Sequence, residues 1–332
     1  MRAMILETPG PIETDPLRST DLTPPKPGPN ELLIRIGVCG ICHTDLHTTE
    51  GELELPKLPI VPGHQIVGFV EATGRGVSRW NIRDRVGVSW LYSSCGRCGF
   101  CSSGRENLCE NIRFTGLHVN GGYEELMVVH EDYAYSIPDV FQDEHAAPLL
   151  CAGIIGYRSL RLAEVPPGGR LGLFGFGASA HIALQIALGR SYEVFVFSRG
   201  ADHRALATSL GAQWVGEPAK APPTKLDSAI IFAPAGRLVH TALEYLDRGG
   251  TLAINAIHMS PIPEIPYHLI YHERTVRSVA NATRRDALEF LEEAAALPVH
   301  TRVESFSLSQ ANEALLRLKE GRINGAAVLR IG

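Results

Sequence analysis

The run LGLFGFGASAHIALQIALG, residues 171–189, contains no Asp, Glu, Lys or Arg. A stretch this apolar must leave water, either in a bilayer or inside a fold. Its length approaches that of a membrane span. Its glycines and its centre, Ala178-Ser179-Ala180-His181, instead suit a buried strand that turns sharply into a buried helix. The turn reads Gly175-Phe-Gly177-Ala-Ser-Ala180, a G-x-G-x-x-A pattern. In such a turn the first glycine permits the bend, the second lets the backbone approach a pyrophosphate, and the small third residue allows close helix–strand packing. The N–H groups that open the helix then face the phosphates. This feature commits part of the chain to an α/β layer that holds a dinucleotide.

The surrounding texture extends that layer. EVFVFSR (193–199), KLDSAIIFA (225–233), GTLAINAI (250–257) and TVRSVAN (275–281) read as strands, with helical stretches such as HRALATSLG (203–211) between them. Strand alternating with helix implies a doubly wound parallel sheet covered on both faces. The first half differs. ELLIRIGV (31–38), HQIVGFVEATG (64–74), DRVGVSWLY (84–92) and YEELMVVHEDYAYSIP (123–138) are short alternating runs punctuated by Gly, Pro and Asn, which reads as an irregular β-rich domain. An amphipathic helix, RRDALEFLEEAAA (284–296), follows, and the end of the chain is expected to return to the first domain. The 332 residues suit two domains. The expected division is 1–150 with 283–332, and 151–282. A net charge of −5 gives no reason to expect nucleic acid or a membrane as partner. The N-terminus lacks the long apolar segment of a signal peptide, so the expected location is cytoplasmic. Thiols stay reduced there, and seven cysteines then point to metal or catalysis before disulfides.

Four of the seven lie in CGRCGFCSSGRENLC, residues 95–109, with the spacing C-x2-C-x2-C-x7-C. Cys95, Cys98, Cys101 and Cys109 can close a tetrahedral zinc site with no open position, which stabilises a lobe without catalysing. An iron–sulfur cluster expects a shorter last gap and a following proline, whereas Glu110 follows here. The remaining thiols are Cys39, Cys42 and Cys151. The run Cys39-Gly-Ile-Cys42-His43 fits a covalent haem site, a redox pair or a single metal-ligand cysteine. Haem attachment is disfavoured without export, and the redox pair wants a helix start in a βαβ unit rather than a strand. His43, His47 and His64 are the nearest histidines in strand or turn context.

VCGICHTDLH (38–47), VPGHQIVGFV, the 95–109 cluster, APLLCAGIIGYRSL (147–160) and GLFGFGASAHIALQIA (172–187) occur in this order along the chain. Together they resemble the zinc-dependent alcohol dehydrogenases of the medium-chain dehydrogenase/reductase family, in their short microbial form. The resemblance implies a GroES-like catalytic domain beside a Rossmann-type coenzyme domain. It implies two zinc ions per chain. Cys42, His64 and Cys151 match the ligands of the catalytic ion, and Cys95, Cys98, Cys101 and Cys109 those of the structural one. Asp45 matches the carboxylate that orients the ligand histidine. Thr44 and His47 match the proton relay, and His43 a contact to the coenzyme pyrophosphate. Cys39 matches no ligand position. Trp90 falls near the point where the family narrows its substrate pocket. Gln65 departs from the pattern, standing where the family usually has glutamate, and removes one negative charge from beside the ion.

The function implied is reversible hydride transfer between a primary alcohol and NAD(P), with an aldehyde as the carbonyl partner. The strand EVFVFSRG ends without the acid that holds the adenosine ribose in NAD-specific sites. Ser198 and Arg199 stand there, with His203 and Arg204 behind, a set that suits a 2′-phosphate and favours NADP. A homodimer or homotetramer is expected by the same resemblance. A polyol or other medium-chain dehydrogenase, a zinc-free quinone reductase of the same superfamily and a non-catalytic, zinc-stabilised NADPH-binding protein are the alternatives.

Overall fold

Alternation of apolar and polar residues makes 31–41 the spine of the N-terminal sheet. Leu32, Ile34, Ile36 and Val38 are buried while Arg35 between them is exposed, and from Cys39 to Ile41 every residue is buried. Each such aliphatic side chain withdrawn from water contributes about 1.5–3 kcal/mol. The computed structural model describes residues 1–297, 299–323 and 325–332. These form two compact units, Met1–Cys151 with Asn281–Ala295 and His300–Gly332, and Ala152–Ala280 with Ala296–Val299.

In the first unit β1 (Arg2–Leu6) and β2 (Leu17–Asp21) form an antiparallel pair. The spine is β3 (Glu31–Ile41), followed by helix α1 (His43–Glu50) and strands β4 (Gln65–Thr73) and β5 (Arg85–Val88). Next come β6 (Leu91–Ser93), α2 (Gly99–Ser102), β7 (Arg113–Phe114), β8 (Leu126–His130), β9 (Ala134–Ser136) and α3 (Asp143–Ala146). Two runs that read as single strands are broken. The run 84–92 splits because β6 leaves the large sheet to pair with β7 in the cysteine lobe. The run 123–138 splits at a 3-10 turn, Glu131–Tyr133, because the Glu131 carboxylate accepts the N–H groups of Ser78 and Arg79 at 3.1 and 3.0 Å. As a result β8 pairs with β3 and β9 with β5.

The second unit contains α4 (Ala152–Ala163), β10 (Arg170–Phe174), α5 (Ala178–Gly189), β11 (Glu193–Phe197) and α6 (Ala201–Ser209). It continues through β12 (Trp214–Gly216), β13 (Leu226–Ile231), α7 (Arg237–Tyr245), β14 (Leu246–Ile254) and β15 (Thr275–Ser278). The six strands are parallel in the order β12-β11-β10-β13-β14-β15. Within the unit that is the order 3-2-1-4-5-6 of a Rossmann-type sheet. The apolar run 171–189 is β10 and α5, and no helix among the described residues is long and apolar enough to cross a membrane. Phe174 and Phe197 stack at 4.2 Å between ring centroids, with Trp214 and Tyr245 against Phe197.

The chain then returns to the first unit through α8 (Arg284–Ala296), β16 (Val303–Ser307), α9 (Ala311–Lys319) and β17 (Ala326–Arg330). β17 runs antiparallel to β3, with Ala327 opposite Ile41, and β16 pairs parallel outside it. The C-terminal strands thereby brace the end of β3 that delivers Cys42.

Candidate functional site

Helix α1 begins immediately after β3, and Cys42 is its N-cap in an extended conformation. The Thr44 N–H donates to Cys42 Sγ at 3.3 Å, and the Cys42 N–H donates to Asp45 Oδ2 at 2.9 Å. This reciprocal cap satisfies two otherwise orphaned donors and directs the positive end of the helix at the sulfur. Asp45 is 2 % exposed, and its Oδ1 accepts the Gly63 N–H at 3.2 Å and faces His64 Nδ1 at 3.1 Å. Gly63 adopts φ +96°, a conformation that suits glycine, and so turns His64 inward at the start of β4. His64 Nε2 lies 3.4 Å from Cys42 Sγ. Cys151, after the short 3-10 turn Ala147–Leu150, completes the group, and the three donor atoms lie within 4.8 Å of one another.

These separations fit a tetrahedral zinc site. Zn–S and Zn–N bonds of about 2.3 and 2.0 Å place sulfurs ~3.8 Å apart and sulfur and nitrogen ~3.6 Å apart. Three protein donors leave a fourth position open, the arrangement of a reactive rather than a structural ion. A hydrogen bond from Cys151 holds the Cys42 thiol well below its ordinary range against the opposing effect of burial, with His64 assisting. The same contact, with burial, pushes Cys151 well up. Burial works against a charged His64, but Asp45 and Cys42 outweigh it and raise the imidazole to about 10. Burial raises Asp45 despite its His64 partner.

The lobe at 95–109 brings Cys95, Cys98, Cys101 and Cys109 together, again within 4.8 Å. Cys101 Sγ lies 3.9 Å from Cys95 Sγ and 3.5 Å from Cys98 Sγ, near the ~3.8 Å edge of a four-thiolate zinc tetrahedron. Backbone N–H groups supply the second contacts, Cys98 to Cys95 Sγ and Cys95 to Cys109 Sγ, both at 3.4 Å. Hydrogen bonds from the Arg97 and Cys98 backbone lower Cys95 to about 6.

Around the three-donor group, Trp90 packs edge-on against His64 at 4.8 Å between centroids and stacks on Phe114 at 4.7 Å. Thr44 and His47 lie one turn apart on α1, and the exposed His43 ring is 6.3 Å from that of His47. His47 Nδ1 is paired with the Glu52 carboxylate, a partner absent from the sequence reading because it sits beyond the helix. Gln65 is 2 % exposed and its Nε2 has no partner among the described residues. Cys39 is fully buried, its Sγ 3.5 Å from its neighbour's carbonyl, and it lies outside the donor group.

In the second unit, Gly175 has φ +91°, and a Cβ there would lie 2.9 Å from Ala233. Ala180 is fully buried. Gly177 caps α5 without any side-chain hydrogen bond to the first-turn N–H groups. A Cβ on Gly177 would meet nothing within 4 Å, so the protein's own packing does not demand glycine there. The open space lies over unpaired N–H groups, which suits a pyrophosphate. At the end of β11, Ser198 is buried and Arg199 exposed, with no side-chain hydrogen bond from Arg199 among the described residues. Arg204 turns inward instead, its Nη1 donating to the carbonyls of Ser198 and Arg199 at 2.8 and 2.6 Å. His203 packs over Gly200.

Residues 28–139 match the alcohol dehydrogenase GroES-like domain. The chain is 47% identical over 337 residues to the "probable alcohol dehydrogenase AdhA" of Mycobacterium tuberculosis, covering 100% of this chain and 97% of that one. Among solved structures, cinnamyl alcohol dehydrogenase from Sorghum bicolor superposes with a TM-score of 0.89 at 27% identity, covering 99% and 97% of the two chains. CAD from Helicobacter pylori, solved in complex with NADP(H), gives 0.87 at 26% identity over 100% and 99%.

Proposed function

The chain belongs to the zinc-dependent alcohol dehydrogenases of the medium-chain dehydrogenase/reductase family, and from that premise we propose that it interconverts primary alcohols and aldehydes with a nicotinamide dinucleotide. The observation that carries the reading is the convergence of Cys42, His64 and Cys151 donors within 4.8 Å, from three separate segments. The chemistry that a bound zinc ion and nicotinamide supply is Lewis acidity toward the alcohol oxygen and acceptance of hydride. Cys42 and Cys151 hold the ion as thiolates and His64 through Nε2. Asp45 accepts from His64 Nδ1 and so keeps the Nε2 lone pair available. The Thr44 hydroxyl takes the alcohol proton and His47 passes it outward, with Glu52 fixing the His47 ring. Trp90, against His64, narrows the space for substrate and favours slim primary alcohols and aldehydes.

The second zinc is held by Cys95, Cys98, Cys101 and Cys109, which leave it no open position. In the coenzyme unit the Gly175–Ala180 turn receives the pyrophosphate. The unpaired Arg199 and the absence of an acid at the end of β11 support NADP over NAD. The edge strand β15 and the exposed Tyr267, Tyr271 and Val276 support self-association as a homodimer or homotetramer. Seven free cysteines suit a reducing, cytoplasmic setting.

The test is metal analysis of the purified protein together with a screen of alcohols and aldehydes, using both coenzymes, before and after chelation. Two zinc equivalents per chain and chelator-sensitive oxidation of primary alcohols are expected. One equivalent without turnover points to a coenzyme-binding protein instead, and none to a zinc-free reductase.

A further inference from the structure

Trp90 stands in the bend between β5 and β6, and its indole is held by two other rings. His64 meets it edge-on at 4.8 Å between centroids. Phe114 stacks on it at 4.7 Å, with only 13° between the ring planes. His118 then packs edge-on against Phe114 at 5.5 Å, so a run of rings leads away from His64 through Trp90 and Phe114. His64 is buried, whereas Trp90, Phe114 and His118 are only partly buried. The stack therefore runs from a buried donor of the metal group to the surface of the first unit.

Backbone bonds bring Phe114 to this place. It lies opposite Leu91 in the β6–β7 pair. The next residue, the fully buried Thr115, is tied to the Trp90 bend: its N–H donates to Trp90 O at 3.0 Å and its hydroxyl to Ser89 O at 2.8 Å. His118 closes the turn, its Nδ1 accepting the Phe114 N–H at 3.2 Å and its own N–H donating to Phe114 O at 3.0 Å. Gly116, at φ +76°, lets the turn lie on the backbone that presents His64, where a Cβ would come within 2.9 Å of the Gly63 N and O atoms. Trp90, Phe114 and His64 thus share one frame. Within it, offset stacking fixes the orientation of the indole against the phenyl ring.

We propose that Phe114 is a positioning residue that sets substrate width through Trp90: its ring is the stop that keeps the indole beside His64 and so holds the site narrow. The inference rests on the reading of Trp90 as a wall of the substrate space. With Phe114 present, the indole cannot turn into the volume that the phenyl ring fills. A smaller, non-planar side chain at 114 frees that volume, and the indole can recede into it and admit a branch at the alcohol carbon. One methyl or methylene group in a hydrophobic pocket is worth about 10–200-fold in discrimination. A wall that yields forfeits the lower part of that range, because the bulkier substrate must still displace the indole.

The test is the ratio of kcat/KM for n-butanol to that for sec-butanol, measured on the zinc-loaded enzyme. Phe114→Leu is expected to lower this ratio about tenfold, and Phe114→Tyr, which keeps a ring to stack, to leave it within about twofold of wild type. Trp90→Leu is expected to lower the ratio by itself, and adding Phe114→Leu to it should change the ratio by less than about twofold. An unchanged ratio in Phe114→Leu, with a lowered one in Trp90→Leu, overturns this inference and leaves the proposed function standing. Equal losses on both alcohols in Phe114→Leu also overturn it, because the ring then supports the fold without selecting substrate. A full effect of Phe114→Leu in the Trp90→Leu background does the same, since Phe114 then acts by another route. Should Phe114→Leu fail to fold, His118→Ala decides in its place: it removes the ring against Phe114 and the acceptor of its N–H, and should lower the ratio about threefold, an unchanged ratio overturning the inference. An unchanged ratio in Trp90→Leu overturns the reading of Trp90 as a wall, and wild-type protein without turnover overturns the proposed function; either takes this inference with it.

Discussion

Replacing Arg199 by alanine probes coenzyme choice at its most direct point. Arg199 is exposed at the end of β11 and makes no side-chain hydrogen bond among the described residues, so its removal leaves no buried partner stranded. Folding stability should therefore change by less than about 0.5 kcal/mol. A charge-assisted hydrogen bond to a phosphate contributes about 1.5–3 kcal/mol, and exposure keeps the value near the lower end. With a factor of ten for each ~1.4 kcal/mol, a loss of about 1.5–2 kcal/mol corresponds to ~10–30-fold in kcat/KM for NADP. Arg204 cannot substitute without breaking its bonds to the carbonyls of Ser198 and Arg199, at 2.8 and 2.6 Å. The assay is steady-state kinetics of Arg199→Ala with saturating alcohol and varied NADP or NAD, at low and moderate salt. The expected signature is a loss confined to NADP that shrinks as salt rises, because an exposed charge is screened. Equal losses with both coenzymes, or none with NADP, refute the reasoning.

Cys95→Ser should lower the melting temperature and release one zinc equivalent while the remaining folded protein keeps its turnover, whereas Cys42→Ser should abolish turnover and leave the 95–109 lobe loaded. Metal content and thermal unfolding of the two variants check this pair. Glu52→Ala frees the His47 ring and is expected to reduce kcat about tenfold, with the coenzyme dissociation constant within twofold of wild type, as measured by fluorescence titration and turnover. Glu124 is 2 % exposed, its Oε2 lacks a partner among the described residues, and burial raises its carboxyl from 4.5 to about 8. Between those values the folded chain holds a proton that the unfolded chain has lost, so stability falls as pH rises through this window. Glu124→Gln removes that dependence and should gain on wild type by about 3 kcal/mol between pH 5.5 and 8.5, read by denaturant unfolding; a difference constant with pH counts against it.

What the sequence discloses depends on how locally each feature is encoded. The lobe at 95–109 is legible because its four thiols lie in one short stretch, so spacing alone nearly fixes their meeting. The Gly175 turn is legible for the same reason, since strand, turn and helix are contiguous. The approach of Cys151 to Cys42 is different. Neither spacing nor periodicity signals it, and only the resemblance of several ordered motifs suggested it. Glu52 is not legible at all. It pairs with His47 from just past the helix. The split of 123–138 into β8 and β9 is not legible because alternation continues through Glu131, and the distant Ser78 and Arg79 N–H groups break the strand.

The six residues from Cys42 to His47 show why such a site tolerates little change in length. Cys42 is the N-cap, so its sulfur lies at the positive end of α1, where thiolate is favoured. Thr44 and His47 are three apart and share one face of the helix. Asp45, about 100° around from Thr44, turns into the core and binds the Cys42 N–H, the Gly63 N–H and His64. One turn of helix thus divides two tasks: one face orders the metal ligands, and the next carries the proposed proton route. An inserted residue after Cys42 would rotate both faces by about 100° relative to the sulfur. Asp45 would then leave the Gly63 turn, and Thr44 would lose its place beside the Cys42 sulfur. Both tasks depend on the same cap, so a shift of that size should cost metal binding and proton transfer together rather than either one alone.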